Sequence, residues 1–219
     1  MSIQKTRGFV LRREDVRETS VLLTVYTRDF GKLKLISKGA RSPDQRFASS
    51  YELFALDDIV FYERKKKGFF LLSQCELVSF FPEVSGSLDR ICYATYFIEL
   101  LDFVTQPGEK NPELYDLLLD SLEFLCSNAS PKRVARIFEI KMLSILGLMP
   151  RLRSCVNCDK ELGGREARFS FSSGGVLCEA CFGADRTARP VLAGTIKFIS
   201  HIEEAPFDRI KQIKVSQRV

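Results

Sequence analysis

The chain has 219 residues, of which 45% are hydrophobic and 28% are charged, a composition typical of globular proteins with one large domain or two small ones. No apolar run is long enough to span a bilayer, and no apolar signal segment stands at the start, so we expect a cytoplasmic protein without membrane contacts. The formal charge of +5 is unevenly distributed. Residues 1–82 carry 15 Lys and Arg against 10 Asp and Glu, residues 83–150 carry 6 against 10, and residues 151–219 carry 12 against 8.

Residues 1–82 alternate with the period of a strand and are rich in β-branched and aromatic side chains. Turn residues separate the runs, as at Arg28-Asp29-Phe30-Gly31. Five strands are predicted, at residues 6–12, 20–27, 31–38, 56–62 and 68–75. Five short antiparallel strands favour a barrel of the oligonucleotide-binding (OB) type, and an SH3-like barrel or a small sandwich would give a similar pattern.

The period changes from two to 3.6 near Ser85, which indicates helices. Ser87 is a candidate N-cap for the first helix. The second and third open at Asn111-Pro112 and Ser130-Pro131, and a fourth follows Ala193. The sequence therefore predicts an α+β protein with an OB-type domain at 1–82 and a helical domain at 83–219 that contains a zinc-ribbon-like module at 151–185.

Four of the seven cysteines form two CxxC pairs, Cys155/Cys158 and Cys178/Cys181, separated by 19 residues. This spacing is typical of zinc ribbons and knuckles, in which each two-residue turn directs two thiolates at one ion. A disulfide framework suits a small secreted domain, and a thioredoxin-like site needs one pair. Four thiolates close the coordination shell, so the predicted zinc is structural. Cys75, Cys92 and Cys126 are interpreted as small core residues in a reducing compartment.

Catalytic machinery is hard to find in the sequence. There is one histidine, His201, and no GxxxxGK[ST] or GxGxxG phosphate loop. Asp57-Asp58 could bind a metal, but paired carboxylates beside a strand are usually exposed. The absence of a nucleophilic constellation favours a binding protein over an enzyme.

The first domain instead offers cations interleaved with aromatic residues. Lys32, Lys34 and Lys38 fall on alternate positions of one predicted strand and should share a face that can follow a phosphate backbone. The alternative is that these lysines only keep a sheet edge soluble. Phe30, Phe47 and Tyr51 are candidates for base stacking. The complete predicted DNA-binding set is Arg28, Lys32, Lys34, Lys38, Arg41, Arg46, Lys65, Lys66 and Lys67.

The order of the motifs resembles the bacterial RecO recombination mediator family over nearly the whole chain. The segments that carry the resemblance are Glu18-Thr19-Ser20, residues 26–32, residues 37–41, residues 111–118, residues 136–143, residues 146–150 and the four-cysteine module. The resemblance implies an OB barrel, a helical domain and a zinc-binding insertion. It also implies DNA repair and recombination in the RecF pathway, with binding of single- and double-stranded DNA and annealing of complementary strands.

The partners implied by the resemblance are RecR, the acidic C-terminal tail of single-stranded DNA-binding protein and, indirectly, RecA. Lys132, Arg133 and Arg136 are the positions expected to receive that tail, although a helix normally shows basic residues to water. A nucleoid-associated location follows from the implied role. The alternative function is a zinc-ribbon transcription or RNA-binding factor, which would share the barrel and the cysteines. A zinc-dependent hydrolase would require a metal-bound water.

Overall fold

The computed structural model describes residues 2–16, 18–40, 51–63, 68–164 and 166–211. The chain divides into two compact units, Met1–Phe138 and Glu139–Val219. The first unit holds a β-barrel and the helices that follow it, and the second holds the four cysteines. The predicted α+β class and the five-stranded barrel are confirmed.

The barrel consists of β1 (Ile3–Val16), β2 (Ser20–Thr27), β3 (Gly31–Ser37), β4 (Leu56–Tyr62) and β5 (Phe70–Ser79). The strands close in the order β1-β2-β3-β5-β4, with β3 and β5 parallel and the other pairs antiparallel. β1 is longer than predicted because it pairs with both β2 and β4. A register shift between Val10 and Arg12 bends the strand from one partner to the other.

Inward-facing side chains fill the barrel as the alternating pattern requires. The buried cluster includes Val10, Val25, Leu35, Ile59 and Phe61. On β3 the buried positions Leu33 and Leu35 alternate with the half-buried Lys32 and the exposed Lys34. The face of β3 that carries these lysines therefore points away from the barrel interior.

Four helices follow: α1 (Pro82–Ser85), α2 (Leu88–Val104), α3 (Pro112–Cys126) and α4 (Pro131–Ile145). The Asn111 side chain accepts a hydrogen bond from the Leu114 amide at 3.1 Å, as expected of an N-cap. Ser87 occupies the N-cap position of α2, but its side chain makes no capping hydrogen bond. Phe97 on α2 stacks on Phe138 with ring centroids 4.3 Å apart.

The connection between α2 and α3 lies against the start of β3. Gly108 donates its amide to the Lys32 carbonyl at 2.9 Å, and Tyr26 donates its hydroxyl to the Asn111 carbonyl at 3.2 Å. Gly31 has a φ of 65°, and a Cβ there would lie 2.1 Å from the Glu109 carbonyl oxygen. Only glycine fits that position, and this close approach fixes one edge of the barrel to the helices.

The second unit contains a three-stranded sheet of order β7-β6-β8, built from β6 (Ala167–Ser170), β7 (Gly175–Cys178) and β8 (Arg189–Val191). A 3₁₀ helix (Glu179–Ala184) follows β7, and α5 (Ala193–Glu204) and α6 (Phe207–Lys211) follow β8. Leu152, Leu162, Ala167 and Val176 form the core beneath α5. Lys141, near the end of α4, donates to the carbonyls of Glu203 and Ala205 at 3.0 and 2.7 Å, which fixes the end of α5.

Candidate nucleic-acid interface and metal centre

The outward face of β3 and its extension present two exposed lysines, Lys34 and Lys38. Lys34 lies on β3 and Lys38 in the turn that follows it, four residues away, with half-buried Ile36 between them. No hydrogen bond or ion pair to either ammonium group is found within the described ranges. One charge is thus held by β3 and the other by the turn that follows it, and both remain accessible to an anionic ligand.

Arg28 and Lys32 are in a different situation, because helix carboxylates hold both. The Lys32 ammonium lies 2.8 Å from an Asp102 carboxylate oxygen and 2.5 Å from the Asp102 carbonyl, and its side chain is 11% exposed. Arg12 also binds Asp102, at 3.0 Å. Arg28 binds Asp116 at 3.0 Å while remaining 56% exposed. These pairs join the barrel to α2 and α3, so the predicted cationic face is partly used within the first unit.

The other predicted DNA-binding residues, Arg41, Arg46, Lys65, Lys66 and Lys67, lie outside the described residues, and so does Phe47. Tyr51 is 2% exposed, and its hydroxyl lies 2.9 Å from the Ser37 hydroxyl. Its predicted role in base stacking is therefore wrong. Phe30 is half-buried with its ring edge-on to Phe61 at 5.4 Å.

The predicted partner-binding residues lie on the first two turns of α4. Lys132 and Arg136 are exposed, whereas Arg133 is half-buried. The Arg133 guanidinium lies over the Phe124 ring at 5.6 Å from its centroid, so this cation also packs against the helical core. The role of the three residues in recognition of a peptide stays a prediction.

The four cysteine sulfurs of the second unit converge, with every pair within 4.8 Å. The Cys158 and Cys178 sulfurs are 3.7 Å apart. Four sulfurs at about 2.3 Å from one ion lie about 3.8 Å from each other in a tetrahedron, so the cluster has the size of a zinc-thiolate site. Asn157 donates its side-chain amide to the Cys181 sulfur at 3.3 Å, as an outer-shell donor to a metal-bound thiolate would.

The titration of these thiols also favours a shared cation. Burial acts to raise the pKa of Cys155, but backbone hydrogen bonds from Cys178, Asn157 and Cys158 outweigh it and lower the pKa to about 6. The Lys160 backbone lowers the pKa of Cys158, whereas the sulfurs of its three neighbours raise it more strongly, to about 12. The Cys155 thiolate therefore forms readily, and ionisation of the neighbouring Cys158 thiol is disfavoured. A divalent cation would favour both thiolates, so the donor set fits zinc.

Backbone contacts place the two cysteine pairs. The first knuckle closes through a 2.9 Å hydrogen bond from the Asp159 amide to the Cys155 carbonyl, and the Val156 amide donates to the Val176 carbonyl of β7, also at 2.9 Å. Gly175 permits this contact, because a Cβ there would lie 2.5 Å from both the Arg151 carbonyl oxygen and a Val156 methyl carbon. Cys178 ends β7, and Cys181 follows on the 3₁₀ helix.

Two expectations from the sequence are corrected by burial. Asp57 was expected to be exposed with Asp58, yet it is 0% exposed, and its carboxylate lies beside the buried Cys75 thiol. Asp58 is exposed and paired with Arg7 at 2.8 Å. Cys92 was expected in the core with Cys75, but it is exposed, while Cys126 is half-buried. Strand alternation carried the signal for Asp57, which has the same parity as the inward-facing Ile59.

No helix within the described ranges is long and apolar enough to cross a membrane.

Two family models together match nearly the whole chain. The family model "Recombination protein O N terminal" matches residues 1–81, and "Recombination protein O C terminal" matches residues 85–219. The chain is 32% identical to the DNA repair protein RecO of Syntrophus aciditrophicus over 215 residues, which are 97% of this chain and 83% of that protein.

Two further proteins named DNA repair protein RecO are similar to this chain to the same extent. The Listeria monocytogenes serotype 4a protein is 32% identical over 215 residues, covering 98% of this chain and 83% of that protein. The Moorella thermoacetica protein is 33% identical over 213 residues, covering 97% and 79%. Matches across barrel, helices and cysteine module do not favour the alternative of a zinc-ribbon transcription or RNA-binding factor.

Proposed function

Because the chain belongs to the Recombination protein O (RecO) family, we propose that it is a mediator of recombinational DNA repair. In this proposal it binds single- and double-stranded DNA, anneals complementary strands and, with RecR, helps to load RecA onto DNA coated with single-stranded DNA-binding protein. Such a role would place it on the nucleoid.

The observation that carries the proposal is the exposed pair of lysines at the end of the barrel strand, Lys34 on the outward face of β3 and Lys38 in the turn that follows it. Two exposed ammonium groups four residues apart can contact phosphates of one DNA strand and release their counterions. Neutralised backbones repel each other less, so two strands bound to such a surface can approach and pair. Annealing by charge neutralisation needs no covalent step, and we therefore propose that the protein is not an enzyme.

We further propose that Cys155, Cys158, Cys178 and Cys181 hold a structural zinc ion. The fit rests on the converging sulfurs of the four cysteines and on the lowered pKa of Cys155 beside the raised pKa of Cys158. When bound, zinc would supply a tetrahedral crosslink among four thiolates, with no open position for water. The small β-sheet has a core of a few residues, and such modules commonly need the metal in order to fold.

For partner binding, Lys132 and Arg136 on α4 support the proposal as exposed cations beside a helical core. An acidic peptide such as the tail of single-stranded DNA-binding protein would find two positive groups one helical turn apart. Reversal of both charges should weaken binding of that peptide without a change in DNA affinity.

The decisive experiment compares the annealing of complementary oligonucleotides coated with single-stranded DNA-binding protein. The double variant Lys34→Glu and Lys38→Glu should lose most of the acceleration shown by the unmodified protein. A matched control, Lys5→Glu with Lys197→Glu, changes the net charge equally at two exposed lysines elsewhere. Equal activity of the two double variants would refute the assignment of the DNA face to β3, and no acceleration by the unmodified protein at low salt would refute the mediator function.

A further inference from the structure

The turn between β6 and β7 presents a phenylalanine to solvent. Phe171 is 75% exposed, and its ring meets the ring of half-buried Phe169 edge-on, with centroids 5.0 Å apart. The contact leaves a face of Phe171 open. Single exposed apolar residues are normal on protein surfaces, so exposure alone does not imply a function.

The turn that carries Phe171 is held rigidly. The Ser170 and Ser172 hydroxyls both donate to the Asp185 carboxylate, at 2.6 and 3.1 Å, and the Ser173 amide donates to the Ser170 hydroxyl at 3.1 Å. Hydrogen bonds thus hold the residues on both sides of Phe171. The hydrogen bonds that Asp185 accepts from Ser170, Thr187 and Ser172 hold its pKa well below its usual range. The turn that carries the ring is therefore fixed before any ligand arrives, which lowers the entropy cost of binding.

The same carboxylate anchors the segment that leads into β8. Asp185 accepts from the Thr187 amide at 2.8 Å and from its hydroxyl at 2.6 Å, just before Arg189 begins the strand. Arg189 pairs directly with Phe169 across the β6–β8 ladder, and residues directly opposite each other point to the same face of a sheet. Arg189 is exposed, so Arg189 and Phe169, whose ring contacts Phe171, lie on the same face of the sheet.

We propose that this hairpin tip is a second contact for single-stranded DNA, in which an unpaired base stacks on Phe171 and Arg189 binds the adjoining phosphate. The inference rests on the proposed function and adds to it a site in the cysteine module. An aromatic platform beside a cation is the combination that binds single strands without sequence preference. Paired bases cannot reach the ring, so the site discriminates against duplex DNA. A zinc ion bound by the four cysteines would then also support DNA binding, because it would stabilise the module that carries Phe171.

The chain has no tryptophan, which makes a direct test possible. Phe171→Trp introduces one indole at the proposed platform, and Phe103→Trp is the matched control on α2, where Phe103 is 84% exposed. Titration with oligo(dT) should quench the emission of F171W over the same concentration range in which the anisotropy of a labelled oligonucleotide rises. The emission of F103W should stay constant.

Affinity measurements complete the test. Phe171→Ala and Phe171→Leu should each weaken binding of oligo(dT) about tenfold and change binding of duplex by less than about twofold. Arg189→Gln should reduce the slope of log affinity against log salt by about 0.7. Phe171 is exposed, so circular dichroism should show these variants folded.

Three results would overturn the proposal. If F171W binds oligo(dT) with unchanged emission and F171A binds with the affinity of the unmodified protein, the hairpin does not contact DNA. The proposed mediator function is unaffected by that result, because it rests on Lys34 and Lys38. Full affinity in F171L with a loss in F171A would show an apolar contact in place of stacking. If the unmodified protein does not bind oligo(dT) at low salt, the mediator function falls together with this site.

Discussion

The buried carboxylate of Asp57 should make the barrel less stable as the pH rises. Burial raises the pKa of Asp57 to about 7, while the Cys75 thiol favours the ionised form to a smaller extent. An unfolded aspartate titrates near 3.8. Between these two values the folded state binds more protons than the unfolded state, so the free energy of unfolding decreases through that window as the pH increases. The full difference is about 4 kcal/mol, of which about 2.5 kcal/mol is lost between pH 5 and 8.

The perturbation is Asp57→Asn, which keeps the side-chain volume and removes the ionisation. Urea unfolding at pH 5, 6, 7 and 8 gives the free energy of unfolding for both proteins. Tyrosine fluorescence is a suitable probe because all six tyrosines precede Phe138 and the chain has no tryptophan. We expect the stability of the variant relative to the unmodified protein to increase by about 2.5 kcal/mol from pH 5 to 8.

Neighbouring groups provide the control. Burial raises the pKa of Tyr51 and of the Cys75 thiol, so both stay protonated throughout the range. The Arg7 guanidinium lowers the pKa of Asp58, so Asp58 is ionised in both states and Asp58→Asn should shift stability by a constant amount below about 1 kcal/mol. Parallel pH profiles for Asp57→Asn and the unmodified protein would refute the argument.

Three further predictions concern the lysines and the metal. Lys32→Met should lower the free energy of unfolding by about 3 kcal/mol because it leaves Asp102 paired with Arg12 alone. Lys34→Met should leave urea unfolding unchanged and should reduce the slope of log DNA affinity against log salt by about 0.7 to 0.9. If instead Lys32→Met reduces that slope and Lys34→Met lowers the stability, Lys32 is the DNA contact. Lys141→Met should cost about 1 to 3 kcal/mol through the two lost hydrogen bonds at the end of α5, measured by thermal unfolding against Lys197→Met. Cys158→Ser should weaken cobalt binding and alter its thiolate absorption, while Cys92→Ser should not, and equal spectra would exclude the four-cysteine site.

Local patterns in the sequence were sufficient for much of the fold. Alternation on β3 predicted which lysines face outward, Asn111-Pro112 predicted a capped helix start, and the spacing of the cysteine pairs predicted their convergence. Each of these features depends on residues within a few positions of each other, or on ligand spacing that a single ion imposes. The helix and strand periods carry this information directly.

Features that depend on distant contacts could not be predicted in this way. Lys32 and Asp102 are 70 residues apart, and nothing local in either segment indicates that they meet. Asp57 and Asp58 are chemically identical neighbours; strand alternation places them on opposite faces of β4, but only the closure of the barrel buries the face that carries Asp57. Phe171 lies between two cysteine pairs that the spacing predicted, but nothing local in the sequence indicates that its side chain is exposed. Local sequence patterns therefore indicate where cations and aromatic residues lie, but they do not distinguish residues available to a ligand from residues that stabilise the fold.

The uneven charge of the sequence has a structural explanation that changes its functional meaning. The acidic segment 83–150 supplies Asp102 and Asp116, which bind Lys32 and Arg28 of the basic barrel. Part of the positive charge of the first domain is therefore neutralised by carboxylates of the first unit. The net charge thus overestimates the number of cations that are available to contact DNA phosphates. The Lys32 pair is mostly buried and weakly screened, whereas Lys34 and Lys38 are exposed to counterions. Salt should accordingly release DNA from β3 well before it separates the barrel from its helices.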